Sequence, residues 1–176
     1  MYFYTSDLHL NHEKIIEYCN RPFKTVDEMN RVIVTNWNSR VKEEDTVFIL
    51  GDMGFLTGET ANDYLRVLKG KKVLVVGNHD RFLRDKKFNK SLLEDTAAIR
   101  NIKDPFIHKN IVLCHYPIAV WDRANHGMLH FYGHVHNNTN KNHPILYKLE
   151  GAYNVGTDLY NFYPVTAEEI VKANLR

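Results

Sequence analysis

An α/β fold with a parallel core is predicted by three observations. Short β-branched or aromatic runs occur at "YFYTS" (2–6), "TVFIL" (46–50) and "KVLVV" (72–76), helical patterns separate them, and each run ends abruptly in a polar cluster. Strand alternating with helix specifies βαβ units.

The elements follow in order. After the first run, "HEKIIEYC" reads as a short helix with Asn11 as its N-cap. A longer helix opens at Thr25, with Glu28 three positions on as a capping box, and "ETANDYLRVL" (59–68) supplies a third. The second half changes character: "FIHKNIVLCH" (106–115), "MLHFYGH" (128–134) and "AYNVG" (152–156) read as strands divided by Pro-, Asn- and Gly-containing turns. Antiparallel or mixed pairing is expected there. A final helix opens on the capping box Thr166 and Glu169. With 176 residues, 44% of them hydrophobic, and no repeat, low-complexity tract or linker, residues 1–176 are expected to form one domain.

Composition narrows the function classes. Charged residues make up 25% and the net charge is +2, which gives no electrostatic case for a dedicated nucleic-acid binder. The clusters "KGKK" (69–72) and "RDKKFNK" (84–90) read as solvated loops. Cys19 and Cys114 are too few for a disulfide framework and suit a reducing compartment. No apolar run of membrane-spanning length occurs, and residues 2–6 already serve as a strand where a signal peptide would need its apolar stretch. A cytoplasmic protein is expected.

The chemistry lies at the strand ends. Asp7 and His9 follow the first strand, Asp52 the second, Asn78, His79 and Asp80 the third, His115 a fourth, and His134 and His136 a fifth. Ligands of open α/β sheets bind at the carboxyl ends of strands, so these residues are arranged to converge. Asp-x-His and His-x-His place two donors on one side of extended chain. Carboxylate, imidazole and amide oxygen together suit Mn²⁺, Fe²⁺, Zn²⁺ or Ni²⁺ and lack the thiolates of a structural zinc site. So many ligands exceed what one ion takes, so two ions sharing a carboxylate is the economical reading.

The ordered blocks Asp7-Leu8-His9, Gly51-Asp52, Gly77-Asn78-His79-Asp80, His115 and Gly133-His134-Val135-His136 resemble those of the calcineurin-like metallophosphoesterases, over residues 2 to about 158. The resemblance implies a four-layer α/β/β/α sandwich of two mixed sheets. It implies one ion held by Asp7, His9, Asp52 and His136 and a second held by Asp52, Asn78, His115 and His134, with Mn²⁺ the first expectation. His79 would protonate the leaving oxygen or stabilise the transition state, and Asp80 would orient its ring. A water or hydroxide shared by the ions would then attack phosphorus in line.

Other residues are weighed beside these. His12 is a candidate substrate contact, Arg21 and Arg123 are candidate phosphate clamps, and His126 is the remaining histidine expected to see substrate. His108, His130 and His143 read as surface or structural. Trp121, Tyr116 and Phe55 either line a pocket that stacks a base or an aryl group or pack in the core. The expected activity is hydrolysis of phosphodiesters, with a nuclease or nucleotide pyrophosphohydrolase, a phosphomonoesterase and a non-catalytic binding module as alternatives. The expected partner is a phosphate-ester substrate, nucleotides and nucleic-acid ends included, with no membrane and no obligatory protein partner.

Overall fold

Both faces of the first sheet are buried, because its strands alternate between two separate cores. In the computed structural model, which describes residues 1–137 and 149–174, β1 (Tyr2–Thr5), β2 (Thr46–Ile49), β3 (Lys71–Val75) and β4 (Asp95–Ala97) lie side by side in that order, all parallel. An antiparallel bridge between Tyr4 and Val165 adds a segment running the other way. Phe3, Val47, Ile49 and Leu74 face one side, against Met29, Ile33 and Trp37 of α2 (Val26–Arg40) and Leu65 of α3 (Gly58–Val67). Tyr4, Phe48, Leu50, Val73 and Val75 face the other. Sequential parallel strands need crossovers, and the helices that supply them cover the outer face.

The second sheet pairs β5 (Ile99–Asp104), β6 (Lys109–Cys114), β7 (Leu129–Tyr132) and β8 (Ala152–Asn154), antiparallel at β5–β6 and parallel beyond. The mixed pairing expected of the second half is present. Ile111, Leu113 and Phe131 meet the first sheet in the central core, together with Ile170 of α4 (Ala167–Ala173). On the far side Val112, Tyr132 and Ala152 pack under Trp121 and Met128. The result is a layered α/β sandwich, with the outer layer over the second sheet formed, among the described residues, by the loop that carries the 3₁₀ turn Ala124–His126.

Several local expectations change. Residues 106–115 are not one strand: Asp104 accepts the N–H groups of Phe106 at 2.8 Å and Ile107 at 3.1 Å, which turns the chain into a hairpin between β5 and β6. β4 and β5 carry no apolar run because β4 has three residues and β5 alternates exposed and half-buried positions. Asn11 does not cap α1 (Lys14–Tyr18), whose N-cap is Glu13 without a side-chain cap bond. Thr25 does cap α2, but the Glu28 carboxylate reaches the N–H of Lys24, one residue further out. The Thr166–Glu169 capping box is present. Among the described residues no helix is long and apolar enough to cross a membrane. His143 lies outside the described residues.

Candidate metal centre

The loops that leave the strands at one end of the two sheets are tied to one another through their backbones. The N–H of Asp7 donates to Gly51 and that of His9 to Asp52, each at 3.0 Å, while the N–H of Gly133 donates to His115 at 2.9 Å. The N–H of Thr157 donates to Ser6 at 2.9 Å, which joins β1's exit to β8's. Asp7, His9, Asp52, His134 and His136 all adopt left-handed backbone, with φ of 57°, 51°, 54°, 70° and 51°. Each such non-glycine residue costs about 1 kcal/mol and persists where surrounding structure over-determines it, and strain of this kind concentrates at functional sites. Close approach does the over-determining. A Cβ on Gly133 would strike Ser6 and the Asp7 carboxylate, and one on Gly77 would strike Asp52.

This scaffold brings together two triads whose ligand atoms lie within 4.8 Å of one another: Asp7, His9 and His136, and Asp52, His115 and His134. Asp52 links them. Its Oδ2 stands 3.6 Å from His9 Nε2, 3.5 Å from His115 Nε2 and 3.9 Å from His79 Nε2. Asn78 Oδ1 lies 3.1 Å from His115 Nε2. Two imidazoles are oriented from behind: His115 Nδ1 donates to the Leu50 carbonyl at 2.8 Å, and His136 Nδ1 donates to Asp158 at 3.2 Å. Each thereby keeps Nε2 facing the cluster, as metal-ligating histidines are held elsewhere.

A cation fits this donor set. His9 Nε2 is buried without a hydrogen-bond partner among the described residues. Burial, reinforced by the neighbouring His136 and Arg21, pushes the His9 imidazole far below its usual range, so its lone pair is available. Burial also raises the Asp7 carboxyl, only partly opposed by His136 and His115. At His136 burial acts downward but is outweighed by the bond to Asp158 and by Cys19 and Asp7, and the imidazole is pushed up to about 10. A divalent ion would offset the charge of carboxylates crowded with imidazoles at this depth.

The other expected site residues divide. His79 sits at the lip, its side chain 31% exposed, with its N–H donating to Asp52 Oδ1 at 2.8 Å. Asp80 does not orient the His79 ring. Its carboxylate turns inward and accepts the N–H groups of Asp52 at 3.0 Å, Met53 at 2.8 Å and Gly77 at 2.7 Å, because a buried carboxylate is most fully satisfied by several backbone donors. Arg21 is not a phosphate clamp either. Its guanidinium is buried and fully engaged, by Asp158 at 2.8 Å, by the carbonyls of Asp7 at 2.7 Å and Leu8 at 2.9 Å, and by Met29 Sδ. Arg123 and His126 are exposed in the loop after β6. His12 does adjoin the cluster, its Nδ1 3.2 Å from that of His9. Tyr116 reaches Asn78 at 3.4 Å, Trp121 is core, and His130 is buried and structural.

Asp158 is the residue that sequence reasoning missed. It lies just past β8 in "NVGTD", a polar residue beyond a strand end like the others, but with no partner nearby in sequence to mark it. It belongs to a third group, Cys19, His136 and Asp158, which shares His136 with the first triad. The pairing of Asp158 with Arg21 makes this group a brace behind the first triad.

No family model matches the chain. It is 33% identical over 169 residues to the "Uncharacterized protein MJ1445" of Methanocaldococcus jannaschii, covering 95% of this chain and 87% of that one. It is 30% identical over 156 residues to the "Gene 66 protein" of Mycobacterium phage D29, covering 76% of this chain and 77% of that one. The crystal structure of a protein of unknown function, AQ665 from Aquifex aeolicus, superposes with a TM-score of 0.75 at 30% identity, covering 98% of both chains. With this identity along nearly its whole length, the chain belongs to one family with the Methanocaldococcus jannaschii protein MJ1445.

Proposed function

We propose that the chain is a metal-dependent phosphoric ester hydrolase of the calcineurin-like type that acts on phosphodiesters. The observation that supports this most is the position of Asp52, one of whose oxygens faces an imidazole of each triad, His9 at 3.6 Å and His115 at 3.5 Å. Asp7, His9, Asp52 and His136 would hold one divalent transition-metal ion, Mn²⁺ foremost, and Asp52, Asn78, His115 and His134 a second, and such ions would supply the charge that makes a water nucleophilic near neutral pH and offsets phosphoryl charge.

The chain's own residues do the rest. His79, at the lip and pinned by its N–H to Asp52, gives its proton to the leaving oxygen. The water oxygen becomes bonded to phosphorus and releases a proton to solvent, the ester bond opposite breaks, and the departing alcohol carries the proton from His79, which solvent then restores. Leu50 and Asp158 hold the rings of His115 and His136 in place. Asp80 holds the turns at Asp52 and Gly77 in register, so its part is positional. Asn78 and His134 are exposed at the cluster.

The test is turnover of bis-p-nitrophenyl phosphate against p-nitrophenyl phosphate by metal-stripped protein reconstituted with Mn²⁺. Faster turnover of the diester is expected. Faster turnover of the monoester would make the chain a phosphomonoesterase, and no turnover of either with two ions bound would make it a binding module.

A further inference from the structure

Beside His79 the chain displays aromatic surface that the hydrolytic reading leaves unused. Phe55, 50% exposed, stacks on the His12 ring with centroids 4.0 Å apart and an interplanar angle of 25°. The ring of His79 lies 4.8 Å from that of Phe55. Tyr18, 64% exposed, meets His12 edge-on at 6.3 Å.

The shelf is built in advance. Leu10 and Gly54 form a parallel bridge, and the N–H of Phe55 donates to the Leu10 carbonyl at 2.9 Å. A Cβ on Gly54 would strike the Leu10 backbone, so glycine there lets the two loops close and sets Phe55 against His12. Asn11, whose φ is 61°, is clamped by Asn30 at 2.7 Å and by Tyr64 at 2.8 Å, which fixes the loop that carries His12. A rigid, exposed ring on a braced loop is how proteins stack nucleobases without reading their edges.

We propose that Phe55, backed by His12 and flanked by Tyr18, is a nucleobase-stacking subsite, and that the preferred substrate is a phosphodiester whose leaving alcohol is a nucleoside. This rests on the phosphodiesterase reading. The shelf adjoins His79, so the stacked base belongs to the arm that His79 protonates. One sugar separates base from phosphate, and 6.5 Å separates the rings of His9 and Phe55. In the step, water oxygen bonds to phosphorus and releases a proton to solvent, the bond from phosphorus to the nucleoside oxygen breaks, and the nucleoside leaves with the proton from His79, which solvent restores.

The experiment compares two diesters in the Mn²⁺-reconstituted protein, the methyl ester of adenosine 5′-phosphate and the methyl ester of ribose 5-phosphate, which differ only in the base. The expected result is kcat/KM about 10-fold higher for the adenosine compound, carried by KM, with adenosine and methyl phosphate as products. Phe55→Ala should bring the ratio to about one, and Phe55→Trp should restore it. Equal kcat/KM in the wild-type protein overturns the subsite, as does a preference that survives Phe55→Ala. Release of methanol and adenosine 5′-phosphate overturns the assignment to the leaving arm. Turnover of bis-p-nitrophenyl phosphate alone removes the nucleoside and leaves the hydrolase, whereas no turnover of any diester removes the phosphodiesterase reading itself.

Discussion

Asp52 and Asp80 clasp one another's turns. Asp80 Oδ2 accepts the N–H of Asp52 at 3.0 Å, while Asp52 Oδ1 accepts the N–H of His79 at 2.8 Å, so two carboxylates from successive strand ends hold the cluster's central turns in one register. Asp80→Ala would orphan the N–H groups of Asp52, Met53 and Gly77 beneath the site. Hydrogen bonds to charged groups are each worth more than neutral ones, and a loss of about 3 kcal/mol is expected in urea unfolding. A variant of full stability with a selectively reduced kcat would return Asp80 to a partnership with the His79 ring.

His79 lies outside both triads, so chemistry and metal content should separate there. His79→Ala is expected to lower kcat about 100-fold or more with both ions retained. Elemental analysis decides the point: an ion lost together with the imidazole would make His79 a ligand.

Asp52→Asn should deplete both ions together, since one oxygen faces both triads. EDTA should abolish activity and lower the melting temperature, because an ion bound only by the folded state contributes about 2.7 kcal/mol at a concentration 100 times its Kd. Two full equivalents of metal in Asp52→Asn would remove it from the shared position.

Asp158 stands behind the first triad alone among the described residues. It holds His136 Nδ1 at 3.2 Å and Arg21 at 2.8 Å, and neither contact reaches the second triad. Asp158→Asn is expected to weaken one of two calorimetric metal-binding events by roughly 10- to 100-fold and leave the other in place. Equal weakening of both would point to a general loosening of the fold.

His130 gives a pH dependence remote from the metal cluster. Its ring is fully buried with both nitrogens satisfied in the neutral form, Nδ1 donating to Val112 at 3.1 Å and Nε2 accepting from Ile118 at 3.0 Å. Burial lowers its pKa, and its backbone partners offset only part of that. The unfolded chain therefore binds the proton more readily, so the contribution of His130 is complete above the ordinary imidazole value of about 6.5 and is lost as pH falls below it, by at most about 1.4 kcal/mol per pH unit. The stability gap between wild type and His130→Gln should narrow from pH 7.5 to pH 5.5. A gap that stays constant would show that His130 takes up its proton equally in both states.

The parallel half of the fold and the six Asp and His residues of the two triads were legible in the residues alone. β-branched runs, helix caps and the Gly-Asp and Gly-Asn turns are local codes, and strand ends that point the same way must converge. β4 and β5 were not legible, because a three-residue strand and an exposed, charged edge carry no hydrophobic period. Nor was the inward turn of Asp80, which is decided by which backbone N–H groups the packed loops leave unpaired. Arg21 has the same character: its partner Asp158 is 137 residues away, and only the closing of the second sheet against the first brings them together. The sequence by itself determined which chemical groups stand at the strand ends, because that is written in short-range propensity. The tertiary structure alone decided which of them face the centre, which brace it from behind and which rings are left in solvent beside it, because those directions are set by hydrogen bonds and close contacts between segments far apart along the chain.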